Sequence, residues 1–110
     1  MKLPNAARAY VDMAKLRGYC LDSSHPEGRH KARVFRSALD LSAQDAEFLR
    51  KEILDAAVKA EAIAADSDSY GSRYVVDFEL KRGSKQAMIR TVWIVRRNED
   101  YPRLLTCLVL

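Results

Sequence analysis

Apolar positions recur with the period of a helix in the first half of the chain and with the period of a strand in the second half. Asp12 is a candidate N-cap for the first helical segment. Ser42 and Asp45 have the spacing of a capping box before the third. The Ser-, Pro- and Gly-rich stretch 22–28 is predicted to be a loop. The pattern predicts three helices: Met13–Cys20, about Glu27–Leu39, and Leu41–Ala65.

The second half predicts antiparallel strands joined by tight turns. Alternating apolar residues mark residues 73–81, 86–97 and 103–110. A turn at Gly83–Ser84 would place Tyr74 opposite Trp93 and Phe78 opposite Ile89, so large apolar residues meet. The expected fold class is therefore α+β: one domain over residues 1–110, with three N-terminal helices packed on a three- or four-stranded antiparallel meander.

Composition narrows the class of protein. Of the 110 residues, 48% are apolar and 31% charged, which is typical of a protein with a single core in water. No apolar run is long enough for a membrane span, and the first residues lack the apolar centre of a signal peptide, so a cytoplasmic location without membrane contact is expected. Cys20 and Cys107 have no CxxC spacing and are interpreted as ordinary semi-buried thiols. We expect no metal and no cofactor.

The net charge of +4 is unevenly distributed. Basic residues concentrate between Arg29 and Arg36, whereas acids concentrate between Asp40 and Asp68. On the predicted second helix Arg29, Arg33 and Arg36 share one face. That face is either solvated surface, or pairs with acids of the third helix, or contacts phosphate groups, in which case Arg33 binds substrate.

Lys31 falls on the apolar side of the same helix, between Val34, Phe35 and Ala38. A lysine there has to reach past the edge of the core to solvent, find a partner, or lose its proton. One interpretation is a simple solvent-reaching lysine. The other is a lysine in a cleft, where it binds phosphate or acts as acid or base. His30 beside it is either an assisting acid–base group or an exposed histidine.

On the predicted sheet, Arg90 faces Asp77, so a cross-strand ion pair is the default expectation for it. Thr106 is a polar position on a stripe with Leu104 and Leu108. If a cleft between helix and sheet opens at one end, Lys31 could meet three residues near the ends of the strands: Arg96, Tyr101 and Arg103. The chain has no GxSxG, HExxH or phosphate-loop motif. Without a metal, this set of residues suits RNA cleavage by attack of the 2′-hydroxyl.

Three stretches together, "LRGYCLDSSHPEGRHKARVF", "YGSRYVVDFEL" and "IRTVWIVRRNEDYPRLLTCLV", resemble an uncharacterised bacterial domain-of-unknown-function family. Its members carry HPxGxxKAxxF, YGxxY, RTVWI and PRLxT motifs. The chain departs from the family pattern in "LDSS", where Asn is usual before His-Pro, and in "TCLVL", where an aromatic residue and Pro often follow. The matching positions are His25, Pro26, Gly28, Lys31, Ala32, Phe35, Tyr70, Gly71, Tyr74, Arg90, Thr91, Trp93, Arg103 and Thr106.

The resemblance implies toxin–antitoxin-like and polymorphic-toxin contexts. The order of elements is also similar, at the level of fold, to the barnase/EndoU/colicin/RelE ribonucleases. The leading hypothesis is a metal-independent ribonuclease toxin. Its alternatives are a non-catalytic antitoxin, immunity or dimerisation module, and simple nucleic-acid binding. Expected partners are RNA and a small cognate antitoxin or toxin, with a homodimer also compatible. The candidate catalytic residues are Lys31, His30, Arg90 and Thr106, and the candidate substrate-binding residues are Arg33, Arg96, Tyr101 and Arg103.

Overall fold

A computed structural model describes all 110 residues and contains three helical segments followed by four strands. Helix α1 spans Met13–Lys15 and continues as a π-helical turn over Leu16–Cys20; α2 spans Arg29–Leu39 and α3 spans Ala46–Lys59. The strands are β1 (Ala62–Ser67), β2 (Gly71–Arg82), β3 (Lys85–Arg96) and β4 (Pro102–Val109). Short 3₁₀ turns lie at Ala6–Arg8 and Ala43–Asp45. None of the helices combines the length and the apolar character that crossing a bilayer requires.

The four strands form one antiparallel sheet in the order β1-β2-β3-β4, so the connections follow a meander. The register of the central hairpin is the predicted one: Tyr74 pairs with Trp93 and Phe78 with Ile89. Gly83 adopts the positive φ of 60° that the tight turn needs. The helices precede the strands, and α2 contacts β3 and β4 while α3 contacts β2. The predicted α+β class is confirmed.

Trp93 is the largest fully buried side chain and belongs to the hydrophobic core. Its indole nitrogen donates to Thr91 Oγ1 at 2.8 Å, and Thr91 donates to the carbonyl of Val76 at 2.7 Å. Both polar groups of this buried pair are therefore satisfied, which burial requires. Thr91 is a structural residue, as a threonine on a strand is expected to be.

The helix starts follow the predicted signals. The side chain of Asp12 accepts from the backbone N–H of Ala14 at 2.9 Å, and the backbone N–H of Ser42 donates to Asp45 Oδ2 at 2.9 Å. These bonds satisfy backbone donors that the first turn of a helix leaves free. Asp40 ends α2 in the left-handed conformation, with φ of 56°.

The predicted third helix is too long. It ends at Lys59 rather than Ala65, and residues 62–67 form β1, the fourth strand. Alanine and isoleucine here fit a helix as well as a strand, and pairing with β2 decides between them: Ala62 pairs with Val76 and Ile63 with Val75. Ile63 is 67% exposed on this strand, so it does not belong to the core.

Two other expectations about side-chain direction were wrong. Val34 is 43% exposed, because the buried face of α2 is formed by Ala32, Phe35 and Leu39. Thr106 does not share a stripe with Leu104, because the β3–β4 register shifts at Leu105 and brings Leu104 opposite Trp93 but Thr106 opposite Val92. Because this β-bulge adds one residue to β4, the side chains after it lie on the opposite faces of the sheet from those that strict alternation would give.

Candidate active site between helix α2 and strand β4

An open cavity of about 680 Å³ lies where α1, its π-helical continuation and the start of α2 meet the edge strand β4. The bulge in β4 explains why two successive strand residues, Leu105 and Thr106, both line it. We call this the α2–β4 cavity. Its polar lining consists of Asp12, Lys15, Tyr19, His25, Glu27, Lys31 and Thr106.

Lys31 faces this cavity and is half-buried. Its Nζ donates to the Tyr19 hydroxyl at 3.0 Å and lies 4.9 Å from the centroid of the Tyr19 ring. No carboxylate forms a salt bridge with it, although Asp12 and Glu27 line the same cavity. The amine is therefore a cation that is anchored by a tyrosine without being neutralised. Thr106 is the other predicted catalytic residue that the fold brings to this place.

The start of α2 is held close to Tyr19 by Gly28. A Cβ atom at Gly28 would lie 2.2 Å from the backbone oxygen of Tyr19, a distance no side chain tolerates. Glycine is thus required because two backbone segments approach each other, and Gly28 is buried as a result. That approach brings Lys31, one turn further along α2, within reach of the Tyr19 hydroxyl.

His25 lines the cavity although it was not among the predicted site residues. Its Nδ1 accepts hydrogen bonds from the backbone N–H groups of Glu27 at 3.0 Å and Gly28 at 2.9 Å. Because Nδ1 is the acceptor, the neutral ring carries its proton on Nε2. The ring also packs edge-on against Tyr19, with centroids 5.0 Å apart. The HPxG motif could have indicated this role. Its spacing places the histidine where its ring can accept from the backbone N–H groups of the turn that follows the proline.

Behind Thr106 lie the two cysteines, both fully buried and both free thiols. Cys20 Sγ lies 3.7 Å from Thr106 Oγ1. The thiol and backbone N–H of Cys107 hydrogen-bond to Cys20 and, with Thr106 and the positive charge of Lys31, hold the pKa of Cys20 below its usual range. The same contact and burial raise the pKa of Cys107. Semi-buried, ordinary thiols were expected; the fold instead buries both completely, with Cys20 next to the cavity residue Thr106.

The other predicted catalytic residues lie elsewhere. His30 is exposed on α2 and does not line the cavity. Arg90 makes the expected cross-strand pair: its Nε and one terminal nitrogen each donate to the Asp77 carboxylate at 2.9 Å. This pair raises the pKa of Arg90 and lies on the sheet face opposite Trp93.

Arg103 and Tyr101 form a separate cluster at the start of β4, together with Glu99 and Tyr10; we call it the Arg103 cluster. Two guanidinium nitrogens of Arg103 each donate to Glu99 at 2.8 Å, and one also donates to the Tyr101 hydroxyl at 2.6 Å. The guanidinium carbon lies 5.3 Å from the Tyr10 ring centroid and 5.1 Å from that of Tyr101. The bonds from Arg103, together with one that the Tyr101 hydroxyl donates to Glu99 at 3.0 Å, lower the pKa of Glu99 to about 2. Arg103 is thus fully engaged inside the protein.

Two predicted substrate-binding arginines lie on other surfaces. Arg96 lines a shallow cavity of about 450 Å³ beside Tyr70, Arg73 and Arg97. Arg33 is exposed on the side of α2 away from Lys31, where it lines a different groove. Arg96, Tyr101 and Arg103 therefore do not converge on Lys31. No group of three or more His, Cys, Asp or Glu side chains is arranged to hold a metal ion.

The chain matches no curated protein and no solved structure. The profile of one family, DUF6883, described as a domain of unknown function, matches residues 2–110. The match extends over almost the whole chain, including both halves of the α2–β4 cavity. The protein therefore belongs to the DUF6883 family of domains of unknown function.

Proposed function

We propose that this protein is a metal-independent endoribonuclease, acting as the toxin of a toxin–antitoxin-like pair, and that the α2–β4 cavity is its active site. One observation carries the proposal: the Lys31 amine, free of any carboxylate, is bonded to a tyrosine hydroxyl inside a cavity that also contains a histidine and a second lysine. Two cations and several proton donors are what a phosphorane transition state requires.

The roles follow from the hydrogen bonds. Because the Tyr19 oxygen accepts from Lys31, its own proton remains free to be donated. His25, with Nδ1 occupied by two backbone N–H groups, offers Nε2–H to a phosphate oxygen rather than exchanging protons. Glu27, whose carboxylate has no hydrogen-bond partner, is the candidate base, and Thr106 positions the phosphate.

In the proposed reaction Glu27 accepts the proton of a ribose 2′-hydroxyl, whose oxygen forms a bond to phosphorus. The bond between phosphorus and the 5′-oxygen breaks, and Tyr19 donates its hydroxyl proton to that oxygen. Lys31 and Lys15 stabilise the negative charge on the phosphorane and on the tyrosinate. The products are a 2′,3′-cyclic phosphate and a 5′-hydroxyl, and exchange with water restores both protein groups.

The test is incubation of the purified protein with end-labelled single-stranded RNA in EDTA. We expect cleavage that leaves 2′,3′-cyclic phosphate ends, and a loss of rate of roughly 100-fold or more in Lys31→Ala. Tyr19→Phe, which keeps the ring, should show a similar loss, whereas Lys51→Ala, which removes an exposed lysine of α3, should leave the rate unchanged. Absence of cleavage, or full activity of Lys31→Ala, contradicts the proposal.

A second candidate function, binding of a cognate antitoxin or toxin protein, is favoured by strand β1. This strand pairs with β2 on one side, and residues 63–67 are exposed at the edge of the sheet. An exposed edge strand can accept a further strand from a partner. Ala64→Pro should abolish a complex with the product of the neighbouring gene while preserving RNA cleavage. A complex that survives this substitution argues against strand addition.

A further inference from the structure

A second surface feature of helix α2 lies on the side opposite the one that carries Lys31. A groove of about 670 Å³ runs along it. One wall is formed by three arginines and the floor by three buried apolar residues: Arg29, Arg33 and Arg36 above Leu21, Ala32 and Leu41. We call this the α2 arginine groove.

The arginines of this groove are available to an external ligand. Arg29 and Arg33 make no salt bridge and no side-chain hydrogen bond, and Arg36 has only a 3.4 Å contact with Asp40, in which both side chains are mostly exposed. Elsewhere in the chain, Arg8, Arg73, Arg82, Arg90 and Arg103 each bond to a carboxylate. A ligand that binds in the groove therefore breaks no strong internal pair.

The spacing of the three arginines suits an extended polyanion. At ~1.5 Å rise per residue, positions 29, 33 and 36 form a row about 10 Å long on one face of the helix. Such a row suits successive phosphates of a strand better than a single phosphate group. The apolar floor and the flat guanidinium groups offer surfaces on which unpaired bases can stack.

The groove contains a single acidic side chain, Asp22. Its carboxylate is already bonded to the backbone N–H of Ser24 at 2.9 Å and to the Ser24 hydroxyl at 2.6 Å. These bonds lower the pKa of Asp22, so it remains charged and repels phosphate at that end of the groove. The three arginines outnumber it, and the net charge of the lining is positive.

The groove and the α2–β4 cavity share the loop before α2. Asp22 and Ser23 of this loop line the groove, whereas His25 and Glu27 line the cavity. A strand that crosses the loop at the start of α2 can therefore reach both. We propose that the α2 arginine groove binds the phosphate backbone of single-stranded RNA that flanks the cleaved nucleotide. This inference deepens, and rests on, the ribonuclease function proposed above.

Binding and cleavage can be tested separately. Lys31→Ala protein, which should bind without cutting, is titrated into a labelled 12-nucleotide single-stranded RNA at salt concentrations from ~50 to ~200 mM, with fluorescence anisotropy as the readout. Adding Arg29→Ala and Arg33→Ala should weaken binding about tenfold or more. It should also make the slope of log K against log salt shallower by about 1.4, or ~0.7 for each lost phosphate contact.

The control removes two positive charges elsewhere. Lys51→Ala combined with Lys59→Ala on α3 should change neither the RNA affinity nor the salt slope appreciably. Unchanged RNA affinity in the arginine double variant overturns the groove proposal, even if cleavage is observed. Loss of affinity without any cleavage by the wild type supports the groove and rejects the ribonuclease. If an oligo-glutamate peptide of equal charge binds as tightly as the RNA, the groove is a site for acidic protein and the proposal fails.

Discussion

The α2–β4 cavity and the Arg103 cluster contain similar groups arranged to opposite effect. In each, a cation bonds to a tyrosine hydroxyl: Lys31 to Tyr19 in the cavity, Arg103 to Tyr101 in the cluster. The difference is the carboxylate. Glu99 accepts two hydrogen bonds from Arg103 and neutralises it, whereas no carboxylate pairs with Lys31. A paired cation is held by its own carboxylate, and an unpaired one remains available to a ligand.

The largest effect on stability is expected from Gly28→Ala, which changes the backbone geometry that forms the cavity. The new methyl group would collide with the Tyr19 backbone, so α2 has to move away and Lys31 loses its tyrosine. We expect destabilisation of roughly 2–3 kcal/mol, the upper range for overpacking. Chemical denaturation measures it. Gly18→Ala is the matched control, because a Cβ there meets nothing within 4 Å. Equal stability of the two variants would contradict the steric argument.

A smaller effect on stability is expected from removing Arg103, and a still smaller one from removing Lys31. Arg103→Ala removes two hydrogen bonds to Glu99 and one to Tyr101 where β4 begins, and it removes the packing on Tyr10. It should therefore lower Tm by several degrees, while Lys31→Ala, which breaks one bond at an open cavity, should change Tm little. Differential scanning calorimetry of both variants decides this. If Lys31→Ala lowered Tm more than Arg103→Ala, Lys31 would be the structural cation, contrary to the comparison of the two sites.

The smallest effect is a pH dependence confined to the Arg103 cluster. The pKa of Glu99 is lowered to about 2 by its bonds to Arg103 and Tyr101, against an ordinary value of 4.5. A carboxyl with a depressed pKa contributes its stability fully above about pH 4.5, and the contribution is lost as the pH falls towards 2. The Tm difference between wild type and Glu99→Gln should therefore be constant near neutrality and shrink below pH 4.5. A Tm difference that stays constant below pH 4.5 would contradict this assignment.

Much of the fold follows from local patterns. The alternation of residues 73–97 with one glycine turn was enough to predict the register of the hairpin and the Arg90–Asp77 pair, because antiparallel pairing around a tight turn leaves one choice. The caps at Asp12 and Ser42 were predictable for the same reason: their bonds join neighbours in sequence. The helical pattern failed after Lys59, where pairing with a distant strand overrode propensity.

The candidate site was only partly predictable. Helical periodicity singled out Lys31 as a cation on the wrong side of α2, and it does face a cavity. The conditional expectation that Lys31 could meet Arg96, Tyr101 and Arg103 is not met, since those side chains lie on other surfaces. Tyr19, His25 and the Cys20–Cys107 pair were not selected. Each has its place through a contact that periodicity does not encode: a glycine-mediated backbone approach, a side-chain cap, and a β-bulge.

By itself, the amino-acid sequence determined the α+β class, the hairpin register and the anomalous position of Lys31. These depend on side-chain periodicity and turn chemistry, which act over a few residues. Only the tertiary structure decided which groups Lys31 meets, because Tyr19, Thr106 and Cys107 come from segments far apart in the chain. It also decided that Arg103 is neutralised and Arg33 is not. Whether a cation has a partner is a question of distance in space, and only the folded chain sets that distance.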